Sequence, residues 1–439
     1  MKRIKTAAAQ AALAMLLACT AAQAEEADVQ AWNLHGQATY VWQIKPAFRS
    51  AYEGDNSLSA QREKSYSFTS TAALGVRGWQ GAEFYLNAEL VQGVALSGLT
   101  GLGGLTNGEL QKTAGSKPVL YLARAFLRQT WALGGESEKV DSGFNQLAGS
   151  QASRRLVLTV GTLAVSDLFD PSRYAHDARG QFINWALFTH GHFDFAADSR
   201  GYSQGAALEW MSDDWTLRGA RFAVPRESNG LKLDTRLATV YGDQLELERR
   251  HSLGEREGAV RLLLFRNVAR MAGFDEALRA APPGAVPRLD TVRRLQSKQG
   301  WGLAADQELG ESVGGFVRLG SHDGRTEPYS FSAIDNAFSA GLVWSGSAWR
   351  RAEDQLGVAL ASNGLSGAHQ RYLAAGGTDF FIGDGRLNYG RETIIEAYYS
   401  AALAPALRLS FDFQQIANPA YNRDRGPLRT FALRLHAEL

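Results

Sequence analysis

Four sets of polar residues alternate with apolar neighbours along this sequence, so each set would lie on one face of a β-strand or, for the fourth set, of two successive strands. Each set offers side chains that can hydrogen-bond, and together they carry both signs of charge. Such rows bind polar solutes where they face an aqueous space, and form salt bridges within a protein wall where they do not. The candidate residues are Glu83, Tyr85, Asn87 and Glu89; Arg124 and Arg128; Glu246, Glu248 and Arg250; and Glu392, Glu396, Arg408 and Asp412.

A fifth candidate region is the segment 164–181, which concentrates charge in a short span. Carboxylate oxygens suit Ca²⁺, but their spacing here does not match an EF-hand loop. The alternatives are a solvated outer loop and a loop that folds onto the other polar rows. Its candidate residues are Asp167, Asp170 and Arg173, accompanied by His176, Asp177 and Arg179.

The sequence does not indicate an enzyme active site. The histidines are scattered, and His190-Gly191-His192 is too isolated to form a metal site. Glu392 and Glu396 would point the same way on one strand, but their spacing does not give the carboxylate separation that a glycosidase needs. We therefore predict a protein that is not an enzyme and that uses no cofactor and no metal.

The element that best shows how these rows are positioned is the last strand. Phe431, Leu433 and Leu435 alternate there with polar residues such as Arg434 and His436. An apolar strand at the end of an open sheet would be an exposed edge that invites aggregation, and closing the sheet into a barrel removes that edge. A membrane barrel turns its apolar face to lipid and its polar face to the lumen.

The same alternation recurs along the chain and predicts about sixteen antiparallel strands, most of them near the length that a tilted membrane strand needs. The predicted strands are 36–43, 68–76, 84–90, 119–131, 155–163, 204–211, 215–224, 243–250, 258–268, 301–308, 314–321, 337–344, 354–362, 392–403, 407–417 and 430–439.

The connections mostly alternate short and long, as expected for an up-and-down barrel with short periplasmic turns, long outer loops and both ends on the periplasmic side. The connection 132–154 falls on the short side but is long, so a strand is expected to be misplaced there. The short connections are 78–81, 212–214, 252–257, 310–312 and 404–406, and the long ones are 92–118, 164–203, 269–299, 363–391 and 418–429.

Composition excludes several classes of protein. The 439 residues are 45% hydrophobic with one Cys, which excludes a disordered chain and a disulfide scaffold, and the net charge of +1 gives no indication of a nucleic-acid partner. Residues 1–24 have the pattern of a signal peptide with cleavage after Ala24, although Cys19 within a lipoprotein-like box is an alternative processing site. The mature chain, 25–439, is predicted to be one domain.

The C-terminal region resembles the carbohydrate-selective outer-membrane porins, the OprB-like family. Several short motifs carry this resemblance, and they follow one another in the same order as in the family. A weaker similarity extends upstream to Gly-Trp-Gln-Gly-Ala at 78–82 and Asn-Trp-Ala at 184–186. The C-terminal motifs are Gly-Asp-Gly-Arg-Leu-Asn-Tyr-Gly at 383–390, Glu-Thr-Ile-Ile-Glu-Ala-Tyr-Tyr at 392–399, Asp-Phe-Gln-Gln-Ile at 412–416, Asn-Pro-Ala-Tyr-Asn at 418–422, Gly-Pro at 426–427 and Leu-Arg-Leu-His at 433–436.

The resemblance implies a single transmembrane β-barrel in the bacterial outer membrane that allows passive diffusion of small sugars through a polar lumen. The polar rows would line that lumen, and the segment 164–181 would be the loop that narrows it. Expected partners are small carbohydrates, outer-membrane lipid and the barrel-assembly machinery, which would bind the C-terminal strand. That strand ends in Leu439, whereas outer-membrane barrels usually end in Phe.

Two alternatives remain open at this point. A porin for other small polar or anionic solutes is suggested because most basic residues are arginine, which binds oxygen-rich groups bidentately. Acidic residues such as Glu83 and Glu89 argue against a strong preference for anions. The other alternative is a barrel with a plugged lumen that acts as an enzyme or receptor through its outer loops.

Overall fold

Alternating apolar and polar residues build one closed antiparallel barrel in the computed structural model, which describes residues 29–113 and 115–439. The predicted signal peptide and Cys19 lie outside the described residues. Sixteen strands form the barrel, and a small hairpin of β8 and β9 lies apart from it. The strands are β1 Trp32–Lys45, β2 Glu63–Arg77, β3 Ala82–Val94, β4 Val119–Val140, β5 Gly149–Leu163, β6 Ser203–Ser212, β7 Trp215–Phe222, β8 Val224–Pro225, β9 Leu233–Asp234, β10 Tyr241–Leu253, β11 Arg256–Met271, β12 Arg294–Gly310, β13 Val313–His322, β14 Asn336–Ser345, β15 Gln355–Gly364, β16 Glu392–Ala404, β17 Leu407–Ala417 and β18 Leu428–Glu438.

The barrel closes where β1 pairs with β18 in antiparallel register, with Tyr40 opposite Leu435. In β18 the side chains of Leu433 and Leu435 are 46% and 44% exposed on the outside, whereas Arg434 between them is 1% exposed and points inward. The apolar face is therefore the outer one, and each of the sixteen barrel strands in the described residues is paired with a neighbour on both sides. The barrel prediction is confirmed.

Long and short connections alternate around the barrel. Seven turns lie on the side of the two chain ends, and eight long loops lie on the opposite side. We name the loops L1 to L8 in chain order: 46–62, 95–118, 164–202, 223–240, 272–293, 323–335, 365–391 and 418–427. In the outer-membrane barrel that the sequence predicts, the long loops are extracellular and the turns periplasmic.

The predicted long connection 132–154 is wrong. Strand β4 continues to Val140 and β5 begins at Gly149, so the turn covers only residues 141–148. Gly134 and Gly135 have φ angles of 106° and 88°, and the register shifts between Ala132 and Ser137. These glycines act as bulge residues that let the ladder continue, although in the sequence they resemble the end of a strand.

The barrel interior is filled from the extracellular side by L2, L3 and L6. A large apolar cluster lies inside the barrel and includes Phe182, Trp185, Phe193 and Phe331. Each such ring contributes about 1.5–3 kcal/mol when it is removed from water, so the loops stay packed within the lumen. The helices are short, at Trp185–Phe188, Phe274–Ala280 and Gly367–Ala374, and none in the described part of the chain is long and apolar enough to cross a membrane.

Candidate functional site

A narrow space of about 320 Å³ runs between loop L3, loop L2 and the barrel wall, and we call it the passage. Aromatic side chains from L3 and L6 line one part of it, where the Trp185 ring centroid lies 5.2 Å from that of Phe188 and 5.3 Å from that of Phe331. Polar groups from the periplasmic end line another part, including Gln37, Asn145 and Glu438. The passage therefore offers flat apolar rings and hydrogen-bonding groups to the same solute.

The charged side chains that line the passage balance in number. Four are cationic and four are acidic: Lys112, Arg124, Arg179 and Arg200, against Glu109, Asp167, Asp177 and Glu438. Most of the cations are paired with acids, so the passage presents alternating donors and acceptors rather than one sign of charge.

Three ion pairs, made by two arginines, fix the geometry of the passage. Arg124 on β4 donates to both carboxylate oxygens of Asp167 in L3, at 2.7 and 2.5 Å. Arg179 in L3 donates to Glu109 in L2 and to Glu89 on β3, each at 2.8 Å. Arg124 thus holds L3 to the wall by a bidentate contact, the geometrically specific kind of ion pair, and Arg179 joins L3 to L2 and to the wall by one hydrogen bond to each of two carboxylates.

These pairs keep the loop carboxylates ionised. Burial favours the neutral acid at Asp167, but the Arg124 guanidinium outweighs it and lowers the pKa of that carboxyl. At Glu109 burial is likewise outweighed, by Arg179 and then Lys112, and the pKa of the carboxyl falls to about 2. Both groups are hydrogen-bond acceptors at neutral pH.

Arginines also stack on tyrosines beside the passage. The Arg124 guanidinium lies 5.2 Å from the Tyr202 ring centroid, and the Arg200 guanidinium lies 4.4 Å from that of Tyr121. Within the described residues the Arg200 guanidinium has no carboxylate partner. It is therefore the cation of the passage that remains available to a solute.

Carboxylates on the barrel wall hold the loops by their backbone. Glu396 on β16 accepts from the backbone N–H groups of Ile183 and Asn184 at 2.6 and 3.0 Å. Glu392 accepts from Gly103, Gly104 and Ala420 in the same way, and Glu246 from Asp170. Buried backbone N–H groups need acceptors, and here the wall supplies them.

Asp170 is a second attachment point for L3. It has a φ of 58°, which is unusual for a residue with a side chain. Its carboxylate accepts from Arg318 Nε at 2.8 Å and from the backbone N–H of His190 at 3.0 Å. Arg318 also donates to the carbonyls of Ala175 and Leu187. One buried arginine on β13 therefore binds three separate points of the loop.

The residues predicted on β3 and β4 all face inward but differ in their surroundings. Tyr85 donates to Glu83 at 2.7 Å, and Asn87 and Glu89 are fully buried. Arg124 lines the passage, whereas Arg128 donates to the carbonyl of Asn145 at 2.9 Å. Only Arg124 of these residues contacts the passage itself, and a role in transport stays a prediction for all of them.

The other predicted residues lie nearer the periplasmic end or beneath the loops. Arg173, Glu248 and Arg250 line a wider space of about 830 Å³ on the periplasmic side of L3, which we call the vestibule. Asp412 accepts from Gln414 Nε2 at 3.2 Å, and Arg408 donates to the carbonyl of Glu353 in a periplasmic turn. Their part in the pore also stays a prediction.

Several residues of the passage were not predicted, because they lie on L2 or at the end of L3. Glu109 and Lys112 belong to a glycine-rich segment whose pattern indicates only a loop. Arg200 and Tyr202 directly precede β6. The available signal was the run of apolar residues in L2, including Leu102, Leu105 and Leu110, which a fully solvated loop would not bury.

A serine between two glycines, in the pattern Gly-x-Ser-x-Gly, occurs at residues 310–314. In hydrolases this pattern forms a turn from a strand into a helix that exposes the serine. Here residues 311–312 form the periplasmic turn between strands β12 and β13, and no helix follows. The pattern therefore marks a strand-to-strand turn and not a nucleophile elbow.

A buried histidine joins three extracellular loops. His369, on the helix Gly367–Ala374 of L7, lies 3.2 Å from a carboxylate oxygen of Asp335 in L6 and 3.4 Å from Asp379 in L7. Phe274 of L5 stacks on the imidazole with ring centroids 4.2 Å apart. His322 on β13 faces the same Asp335 carboxylate at 3.6 Å. Burial opposes the charged imidazole, but the two aspartates outweigh it and raise the pKa of His369 to about 9.

This cluster predicts a pH limit for loop docking. The pKa of His369 lies above its unfolded value of about 6.5, so the stabilisation is complete below pH 6.5 and is lost as the pH rises through about 9. We expect protease cleavage within L7 to be faster at pH 10 than at pH 7. In His369→Gln the ratio of the two rates should fall towards one. A wild-type ratio equal to that of the variant would contradict the prediction.

Comparison with known proteins gives a consistent result. The family model described as carbohydrate-selective porin, OprB family, matches residues 66–439. The high-pH structure of OprB from Pseudomonas putida superposes with a TM-score of 0.68 at 16% identity, covering 93% of this chain and 94% of that one. The outer membrane channel DcaP of Acinetobacter baumannii gives a TM-score of 0.53 at 8% identity, covering 93% and 97%. At these identities the structures establish the fold alone. No curated protein sequence matched the chain.

Proposed function

We propose, from the premise that this chain belongs to the OprB family of carbohydrate-selective porins, that it lets small neutral sugars diffuse through the passage into the periplasm. The chain is a porin of the bacterial outer membrane, and its family and fold are those of channels. The sugar selectivity and the residues that provide it are the proposal.

The observation that carries the proposal is the balance of charge along the passage. Four cationic and four acidic side chains line it, and the carboxylates of Asp167 and Glu109 are already paired with arginines. A lumen with balanced charge has no strong attraction for ions of either sign. A sugar is both donor and acceptor at every hydroxyl, so it can use both halves of each ion pair.

Aromatic rings provide the second part of the recognition. Trp185, Phe188 and Phe331 lie in the same passage as the charged groups. The apolar face of a sugar ring can lie against such a surface, while its hydroxyls reach Arg124 and Asp167. A small inorganic anion gains nothing from the ring faces, so this arrangement favours sugars over small anions.

One observation favours a second candidate, a porin for small organic anions. The Arg200 guanidinium lines the passage and has no carboxylate partner among the residues that the structure describes. A carboxylate on a sugar acid would pair with it directly. The two candidate functions can therefore be distinguished by comparing how the channel responds to a neutral hexose and to its carboxylate analogue.

The test is single-channel current of the mature protein in planar bilayers, with glucose and then gluconate added at the same concentrations. We expect glucose to reduce the open-channel current at concentrations where gluconate has little effect. We also expect a reversal potential near zero in a KCl gradient, because the charges of the passage balance. Stronger block by gluconate would favour the anion channel, and a folded barrel without conductance would contradict both candidates.

A further inference from the structure

Three arginines project from the outer, lipid-facing surface near the extracellular ends of the strands. Arg221 is the penultimate residue of β7, and Arg266 and Arg270 lie in the last third of β11, next to L5. All three side chains are exposed. We call these residues the rim patch. They do not line the passage or the vestibule.

Strand register places the patch at the upper boundary of the apolar surface. Arg221 is opposite Asp243, which is opposite Arg266, so Arg221, Asp243 and Arg266 lie in one row across neighbouring strands. The next outward row towards the periplasm contains Leu245, Leu264 and Trp301, which are 46%, 44% and 39% exposed. Outward tryptophans mark the interface between hydrocarbon and head groups. The arginines therefore lie at the level of the outer-leaflet head groups.

The positive charge of the patch is not neutralised within the protein. Asp243 lies in the row between Arg221 and Arg266, and both of its carboxylate oxygens accept from Arg221, at 2.7 and 2.8 Å. Arg270 donates only a long hydrogen bond of 3.4 Å to the carbonyl of Arg293. Arg266 has no hydrogen bond or ion pair within the described residues. Two guanidinium groups thus remain free for an external anion.

The spacing of the free groups suits a ligand with more than one anionic group. Arg266 and Arg270 lie on the same face of one strand, four residues and so about 13 Å apart at the backbone. Because both side chains are long and flexible, the distance between their guanidinium groups can be several ångströms shorter or longer than the distance between their backbones. A lipid with two phosphates on a sugar head group presents anionic charge over a comparable distance.

We propose that the rim patch binds the phosphate groups of a phosphorylated glycolipid in the outer leaflet of the outer membrane. Guanidinium groups bind phosphate oxygens with paired, charge-assisted hydrogen bonds. The acyl chains of the same lipid cover the leucines directly below, so one ligand satisfies both the basic row and the apolar row. This binding concerns the outer surface and is independent of the solute that crosses the lumen.

The test uses the purified mature protein in detergent and native mass spectrometry. The probes are lipid A with both phosphates, lipid A from which the phosphates have been removed, and inorganic phosphate as a competitor. We expect the phosphorylated lipid to bind and the dephosphorylated one to bind much more weakly. Loss of charge-assisted hydrogen bonds in Arg266→Gln/Arg270→Gln should weaken binding about tenfold or more.

The matched control is Arg249→Gln. Arg249 is also exposed on the outer face, but it lies at the periplasmic end of β10, 5.2 Å from the Trp215 ring centroid. This variant removes one positive charge from the same outer surface, against two in the double variant, and should bind like the wild type. Heat-modifiable migration in detergent gels and unchanged channel current verify that each barrel is folded. Equal binding by the double variant, equal binding of dephosphorylated lipid, or displacement by inorganic phosphate would each overturn the proposal.

Discussion

Replacing residues 164–181 by a short glycine-serine linker is expected to raise single-channel conductance several-fold and to remove block of the current by sugars. This segment supplies Asp167, Asp177 and Arg179 to the passage and separates the passage from the vestibule. A barrel of sixteen strands leaves an aqueous channel wherever loops do not fill it. The measurement is current in planar bilayers, with and without added glucose.

Loop L5 offers a matched control for that variant. Residues 282–286 are exposed at the extracellular surface and line neither the passage nor the vestibule. Replacing them by a linker of similar composition should leave conductance and sugar block unchanged. An unaltered current in the L3 variant, in protein that still migrates as a folded barrel, would mean that L3 does not limit the channel.

Arg124→Ala is expected to weaken sugar block about tenfold, because one charge-assisted hydrogen bond is worth about 1.5 kcal/mol. The same change leaves Asp167 without its bidentate partner, so the channel should also become selective for cations. The measurements are the glucose concentration that halves the current and the reversal potential in a KCl gradient.

Two further variants separate charge from geometry at this position. Arg124→Lys keeps the charge but cannot reproduce the two parallel bonds to Asp167, so selectivity should be retained while sugar block weakens. Arg128→Ala removes an arginine that does not itself line the passage, although it binds the carbonyl of Asn145, which does, and it should change block much less than Arg124→Ala. If Arg124→Ala behaved like Arg128→Ala, Arg124 would have no part in solute recognition.

The strands were predictable from sequence because their signal is local. Each strand of the barrel has one face in lipid, so Leu433 and Leu435 alternate with Arg434 regardless of what fills the interior. The one wrong connection, 132–154, arose because Gly134 and Gly135 suggest the end of a strand. Whether a glycine ends a strand or forms a bulge depends on the neighbouring strand, which the local pattern does not contain.

The passage was less predictable, because it is formed by loops that meet only in the folded barrel. Inward orientation of Glu89 follows from alternation, but its burial under Arg179 of L3 does not. The contact of Arg179 with Glu109 joins two loops seventy residues apart. No period or spacing within either loop encodes that contact, so the candidate lining from sequence included Arg124 and Asp167 but omitted Lys112, Arg200 and Tyr202.

The carboxylates of Glu246, Glu392 and Glu396 have a consequence for how this channel can diversify. Their donors are main-chain amides of L2, L3 and L8, and every amino acid except proline carries such an amide. These backbone attachments are therefore indifferent to the side chains that the loops display, unlike the contacts made through the side chains of Asp167, Asp170 and Arg179. A barrel of this design can exchange the chemistry of its filter by substitution within the loops while the wall stays constant, which makes it a suitable scaffold for engineered sieves.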